Sequence, residues 1–175
     1  MKTFENYEQA ERSLSEEELS RIRSSALQLA QKAREEGHSL GEAFGVDHSL
    51  MEVLYGEGYR LYNAGLYQKA LYLFRGLYCL NEKEARYSLA WAACQQRLKN
   101  FEEAIDGYRI VAELEPLAPV PLLYLYECYM QLGKKEEARN TLLTLIEKTE
   151  NNSMYEKMLL RVKLMLESHD SLQKT

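Results

Sequence analysis

Three histidines and three cysteines are the side chains of this sequence that could bind a metal ion or act as a nucleophile. His38 and His48 flank a segment of recurring glycines, which predicts a turn, and neither has a cysteine nearby. A zinc site needs closely spaced Cys and His ligands, and a nucleophilic cysteine needs a base beside it. Cys94 and Cys128 lie at equivalent positions of the repeat described below, where a small apolar residue packs. We therefore predict no metal, no cofactor and no catalytic residue, and hence a protein that is not an enzyme.

The charge balance argues against two classes of partner. The chain has 22 Lys and Arg residues against 27 Asp and Glu residues, a net charge of −5. Nucleic acids and anionic membrane surfaces attract basic proteins, so neither is predicted as a partner. The uncharged run 116–126 is far shorter than the about 20 apolar residues of a membrane span, and the acidic amino terminus does not resemble a signal peptide. An odd number of cysteines fits reduced thiols, so we expect a cytoplasmic location.

A repeat of 34 residues determines the predicted fold class. Three segments align without a gap, at 51–84, 85–118 and 119–152. The repeated positions hold a small residue, a large apolar or aromatic residue, and an aliphatic residue: Ala70, Ala104 and Ala138; Phe74, Tyr108 and Leu142; Leu77, Val111 and Leu145. The period and these residue types resemble the tetratricopeptide repeat, a helix–turn–helix unit. The resemblance implies an all-α solenoid of three helix–turn–helix units.

Two glycines fit this pattern and one tyrosine departs from it. Gly58 would let the two helices of the first repeat approach closely, and Gly65 would form the turn between them. Tyr126 occupies the position of the third repeat that corresponds to Gly58, where this repeat family has Gly or Ala. We therefore expect the third repeat to be distorted or packed differently from the first two.

The segments that flank the repeats have their own predicted roles. The repeat region with its cap spans 47–168, and a final helix at 153–168 has one apolar face that would cover the end of the solenoid. Residues 169–175 are predicted to form a flexible tail, and residues 1–12 are expected to be mobile as well.

The amino-terminal region, 1–46, is predicted to contain one helix and a hinge. Ser15 and Glu18 have the spacing of a capping box, and the glycine-rich segment 37–45 predicts the hinge. Between them, apolar residues recur at alternating spacings of three and four, as in a short coiled-coil seam: Leu19, Ile22, Ala26, Leu29 and Ala33. A three-repeat array does not need this seam for its own core, so we predict that it mediates a weak homodimer.

The tetratricopeptide resemblance also implies a concave groove, lined by the first helix of each repeat. The inward-facing positions include Tyr55, Tyr59, Tyr62, Asn63, Arg86, Leu89, Ala93, Gln96, Val120, Leu123, Glu127 and Met130. The three tyrosines are four and three residues apart, so they share one face of a helix. Tyrosine has an apolar ring and a polar tip, which suits an interface. The alternative is that these tyrosines only pack against neighbouring helices.

The type of ligand is also indicated by what the groove lacks. Some tetratricopeptide grooves clamp a terminal carboxylate with Lys, Asn and Arg side chains. The corresponding positions here hold Tyr55, Tyr59, Val120 and Tyr124, so that clamp is absent. The groove instead favours an apolar, extended segment that contains proline, because proline pre-orders the ligand and lowers its entropic cost of binding.

Three stretches carry a closer resemblance to one family. They are LYGEGYRLYNAGLYQKALYLFRGLYCLN, RYSLAWAACQQ and PVPLLYLYECYMQLGKKEEA, and the similarity extends over about residues 40–150. They resemble the class II type III secretion chaperones. This resemblance implies a small, acidic, cytoplasmic bacterial protein that keeps hydrophobic translocator proteins soluble and binds a segment with spaced Pro and Leu residues in its concave groove. It also implies a dimer formed through the amino-terminal helices.

The sequence therefore predicts a non-enzymatic chaperone of a bacterial type III secretion system, and two alternatives stay open. One is a regulatory co-activator of a transcription factor, since some members of the family act with a transcriptional activator. The other is a general scaffold that joins cytoplasmic proteins. Co-purification of an aggregation-prone apolar protein would favour the chaperone, and loss of transcription with secretion intact would favour the co-activator.

Overall fold

The computed structural model describes residues 15–150 and 152–172, without the side chains of Leu19 and Leu172. Within these ranges the chain is almost entirely helical and contains no strand. It divides into two compact units, Met1–Asp47 and His48–Thr175. The predicted mobile segment 1–12 and the last three residues of the predicted tail lie outside the described residues.

The amino-terminal unit contains α1 (Glu16–Glu36) and the single-turn helix α2 (Leu40–Ala43). The Ser15 hydroxyl accepts a hydrogen bond from the Glu18 backbone N–H at 3.2 Å, and the Glu18 carboxylate accepts one from the Ser15 N–H at 2.7 Å. This is the capping box predicted from the sequence. Gly37 ends α1 with a φ of 78°, a left-handed conformation that glycine adopts without a steric penalty.

The carboxyl-terminal unit is a linear array of helices that pair in sequence order. The elements are α3 (His48–Asn63), α4 (Tyr67–Leu80), α5 (Ala85–Arg97), α6 (Phe101–Leu114), α7 (Val120–Gln131), α8 (Lys135–Thr149), a 3₁₀ turn (Ser153–Tyr155) and α9 (Glu156–Leu172). Each long helix packs against the next one along the chain, and α3 also packs against α5. The pairs α3–α4, α5–α6 and α7–α8 are the three repeats, so the predicted all-α tetratricopeptide solenoid is confirmed.

The second helix of each repeat supplies most of the core. Its apolar residues recur at positions i, i+4 and i+7, which places them on one face of the helix. All nine of these residues are buried: Ala70, Phe74, Leu77, Ala104, Tyr108, Val111, Ala138, Leu142 and Leu145. Burial of each large apolar side chain contributes about 1.5–3 kcal/mol. The repeated spacing therefore builds one continuous core from three short helices.

Close approach within the first two repeats depends on residues without bulky side chains. A Cβ atom added to Gly58 in α3 would lie 2.7 Å from Cε1 of Phe74 in α4. In the second repeat Ala92 occupies the position of Gly58, and the glycine is on the other helix. A Cβ atom added to Gly107 in α6 would lie 2.7 Å from the Cβ of Ala92. One glycine at each crossing therefore allows the two helices to pack closely.

Tyr126 occupies the position of Gly58 in the third repeat, and the pair α7–α8 nevertheless forms. Its half-buried side chain packs against the core and borders a surface depression along α9. The helix pair of the third repeat therefore forms as in the other two repeats, with the Tyr126 ring at its edge. The bulky ring borders the depression beside the capping helix, and the helix pair is kept.

The turn inside each repeat requires a residue with positive φ. Gly65 and Gly133 have φ values of 75° and 70°, and Lys99 occupies the same repeat position with a φ of 65°. A residue with a Cβ atom pays about 1–2 kcal/mol in this conformation, whereas glycine does not. Lys99 therefore shows that the repeat geometry imposes the turn even where the sequence lacks glycine.

The predicted end of the capping helix is wrong by four residues. The sequence predicts a helix to 168 and a flexible tail from 169, but α9 continues to Leu172. His169 is only 3% exposed, and the Arg139 guanidinium donates a hydrogen bond from Nε to Oδ1 of Asp170 at 2.8 Å. These contacts with the body of the solenoid extend the helix beyond its apolar stripe.

Candidate functional site

A cleft on the first helices of the repeats brings the tyrosines together. It has a volume of about 270 Å³ and lies between α3, α5 and the amino end of α7, with two aromatic rings from α4 and α6. The lining residues are Tyr55, Tyr59, Tyr62, Phe74, Arg86, Leu89, Ala90, Ala93, Gln96, Tyr108, Val120 and Tyr124. Its walls are therefore mainly aromatic and aliphatic, with polar groups at the tips of side chains.

The cleft contains eight of the twelve residues that the sequence predicted for the groove. The other four do not line it: Asn63, Leu123, Glu127 and Met130. Leu123 and Met130 are half-buried against the core. Asn63 is exposed at the end of α3, and Glu127 is exposed on α7.

Four lining residues were missed by the sequence analysis: Phe74, Ala90, Tyr108 and Tyr124. Phe74 and Tyr108 belong to the second helices of their repeats, and the sequence placed them in the core. Both are buried, and each also presents part of its ring to the floor of the cleft. The sequence signal was the aromatic residue at the repeat position that Phe74 and Tyr108 share. A ring at this position is large enough to fill the core and also reach the cleft.

The three tyrosines of α3 differ in how much of each ring is free. Tyr59 is 55% exposed, whereas Tyr55 and Tyr62 are half-buried. The Tyr55 ring centroid lies 5.6 Å from that of Phe74 and 5.7 Å from that of Tyr87. Tyr55 thus joins the core to the cleft, and Tyr59 belongs to the cleft wall alone. Burial raises the pKa of Tyr55 and of Tyr62, so both hydroxyls remain protonated and can donate hydrogen bonds.

An ion pair between two repeats closes one side of the cleft. Arg86 Nη1 donates to Oε2 of Glu52 at 3.0 Å, and a second bond joins Nη2 to Oε1. The Arg86 guanidinium also lies 5.0 Å from the ring centroid of Tyr55 and 5.1 Å from that of Tyr87. The hydrogen bond from Arg86 holds the pKa of the Glu52 carboxyl below its usual range. Because Glu52 neutralises Arg86, this cation is a poor site for a ligand carboxylate.

A chain of hydrogen bonds crosses the opposite side. The Tyr108 hydroxyl donates to Oε1 of Gln96 at 2.6 Å, and Nε2 of Gln96 donates to Oε2 of Glu127 at 3.0 Å. Burial holds the pKa of Tyr108 far above its usual range, so the hydroxyl keeps the proton that it donates. Tyr108 also stacks on Tyr124, with 5.1 Å between ring centroids. The chain links α6, α5 and α7 and fixes the rings at this end of the cleft.

The walls of the cleft have the chemistry of a binding surface. Cys94 and Cys128 are buried, and burial raises their pKa to about 12 and about 11, so neither thiol is a ready nucleophile. No cluster of three metal-ligating side chains occurs in the part of the chain that the structure describes. Aromatic walls with protonated hydroxyls can bury apolar side chains and also bond to the backbone of an extended peptide.

The predicted dimer seam lies on α1 in the amino-terminal unit. Ile22 is 54% exposed and Leu29 is 37% exposed, whereas Ala26 is half-buried and Ala33 is buried. The side chain of Leu19 lies outside the described residues. The described part of the seam therefore leaves two aliphatic side chains on the surface of this unit.

Comparison with known proteins gives sequence relatives and solved structures of one kind, while no protein-family model matches the chain. The chaperone protein SicA of Salmonella dublin is 29% identical over 124 residues, which is 71% of this chain and 75% of SicA. A type III secretion complex from Aeromonas hydrophila contains a similar chain, with a TM-score of 0.76 and 28% identity over 83% of this chain and 97% of that one.

The third similar protein was solved with a bound peptide. It is the type III secretion chaperone SycD of Yersinia enterocolitica, in complex with a peptide of the translocator YopD. Its TM-score is 0.67 with 28% identity, over 74% of this chain and 98% of SycD. The resemblance carried by the three sequence stretches is thus confirmed: this chain is similar in sequence to the chaperone SicA and in structure to the type III secretion chaperone SycD.

Proposed function

We propose that this protein is a cytoplasmic chaperone of a bacterial type III secretion system, which keeps a hydrophobic translocator protein soluble and competent for secretion. It acts by binding and performs no catalysis. The observation that supports this most directly is the tyrosine-walled cleft on the first helices of a tetratricopeptide array. The similarity to SycD, whose structure contains a peptide of a translocator, supports the same class of ligand.

The proposed ligand is an extended apolar segment of the translocator. Its side chains would bury against Tyr59, Leu89 and Val120, while the tyrosine hydroxyls would bond to its backbone. Each buried aliphatic side chain would contribute about 1.5–3 kcal/mol, opposed by the entropy lost on ordering the segment. A cleft of about 270 Å³ holds only a few such side chains, so affinity for one segment is moderate and release is easy.

We expect co-expression with translocators encoded near the gene to increase the soluble fraction of at least one of them. The physical reason is that the cleft masks apolar side chains that otherwise associate between translocator molecules. The measurement is the soluble translocator recovered with and without this protein, followed by co-purification. A set of translocators that stays insoluble, while this protein is folded and abundant, would contradict the proposed function.

We also propose that α1 mediates weak self-association, because its seam exposes Ile22 and Leu29. Replacing Ile22 and Leu29 by Glu should shift the monomer–dimer equilibrium toward monomer in sedimentation experiments at several concentrations. Leu27 is 71% exposed and lies off the seam, so Leu27→Glu is the control with the same chemical change. Equal assembly of the seam variant and the wild-type protein would remove this role for α1.

A further inference from the structure

Residues of the capping helix α9 fall at the same repeat positions as the groove residues of α3. One further repeat length beyond the third repeat begins at residue 153, and α9 starts immediately after, at Glu156. At three repeat lengths from Tyr55, Tyr59 and Tyr62, the chain has Lys157, Arg161 and Leu164. The helix that covers the end of the solenoid thus has groove-type positions of its own, occupied by cations and a leucine.

These positions line a depression. It has a volume of about 400 Å³, lies along α9 and is bordered by Tyr126 of α7. Its apolar part includes Leu160 and Leu164, which are 63% and 55% exposed. In the described chain no further helix follows α9, and both leucines remain exposed along it.

The charge of the depression is opposite to that of the protein as a whole. Lys157 and Arg161 line it and no acidic residue does, although the chain has a net charge of −5. Within the described residues neither cation has an ion-pair partner, in contrast to Arg86, which Glu52 neutralises in the cleft. An unpaired guanidinium beside exposed leucines favours a ligand that carries a carboxylate next to an apolar side chain.

The depression is distinct from the tyrosine cleft. No residue lines both of them. The hydrogen bond between Gln96 and Glu127 marks the end of the cleft on the side of α7. A ligand that occupied both would contact two separate surfaces, one aromatic and one basic and apolar.

We propose that the depression along α9 is a second peptide-binding surface, specific for a segment in which leucine-sized side chains stand beside carboxylates. This proposal rests on the proposed function: the segment belongs to the same translocator, in a part outside the one that occupies the tyrosine cleft. The cleft buries apolar side chains of the translocator, and the cations of the α9 surface bind carboxylates in a second part of it. Two weak contacts on one chain raise the overall affinity without a tight single site.

The test uses two labelled synthetic peptides, one of repeating Leu-Glu-Glu-Leu and one of repeating Leu-Lys-Lys-Leu, titrated into the full-length protein. We expect the acidic peptide to bind and the basic peptide not to bind, with the contacts mapped to α9 by amide chemical shifts. Arg161→Glu should weaken binding of the acidic peptide about tenfold, because attraction is replaced by repulsion. Higher salt should weaken it as well, since exposed charges are screened.

Lys163→Glu is the matched control, because Lys163 is exposed on the same helix and does not line the depression. We expect it to change the affinity less than about twofold, the effect of net charge alone. Equal losses for the two variants, shifts that map elsewhere, or equal binding of both peptides would each overturn the proposal. Tyr59→Ala should leave acidic-peptide binding unchanged, so failure of the translocator experiment and failure of this surface are separate results.

Discussion

Replacing Phe74 by alanine should lower the free energy of unfolding by about 3–5 kcal/mol, the largest loss of stability that we expect from a single truncation here. Phe74 is 1% exposed, and its ring fills the space that Gly58 leaves open between α3 and α4. It also contacts the ring of Tyr55, so truncation leaves a cavity at the centre of the first repeat. Urea unfolding followed by far-UV circular dichroism measures the change.

Tyr72→Ala is the matched control for this prediction. Tyr72 is an aromatic residue of the same helix, α4, but it is 68% exposed. Its truncation should change the free energy of unfolding by less than about 1 kcal/mol, as is usual for surface substitutions. If Phe74→Ala were as mild as Tyr72→Ala, the ring of Phe74 would not hold the first repeat together.

Replacing Tyr59 by alanine should weaken binding of a translocator segment by about 1–3 kcal/mol, or roughly 5- to 150-fold, with little change in stability. The ring is 55% exposed in the free protein and stands on the wall of the cleft, so its removal costs contacts with the ligand and few contacts with the core. Affinity by titration and thermal unfolding should be measured on the same preparation.

Tyr55→Ala should behave differently, because the Tyr55 ring packs against Phe74 and Tyr87 as well as lining the cleft. We expect it to lose both stability and affinity, whereas Tyr72→Ala should lose neither. A Tyr59→Ala protein that unfolds early while its folded fraction binds normally would place Tyr59 in the core and contradict the cleft assignment.

The fold could be predicted from the sequence because it depends on a local pattern repeated three times. The triplet of Ala70, Phe74 and Leu77 recurs at the same spacing, and each copy builds the same helix face. The end of α9 could not be predicted in this way. Its last turn is held by Asp170, whose partner Arg139 is on another helix, and the sequence carries no periodic signal for that contact.

The candidate site was less predictable than the fold. Register determines which face of a helix a residue occupies; it grouped Tyr59 with Leu89, and both line the cleft. It cannot determine how close two helices approach or how far a ring reaches between them. Tyr108 reaches the cleft from the second helix of its repeat, and the guanidinium of Arg86 is neutralised by a residue one repeat away. Both features depend on distances that only the packed structure defines.

The order of the helices has a consequence for how the protein opens. Each helix of the solenoid contacts mainly its neighbours in sequence, so folding closes only short loops and can begin in any repeat. The same locality lets an array unzip from its ends at a free energy below that of global unfolding. The helix α3, which begins its unit, supplies Tyr55, Tyr59 and Tyr62 to the cleft. If this one helix undocked, the cleft would lose a wall and release the translocator segment. The helices α5–α9 would stay folded and could bind again.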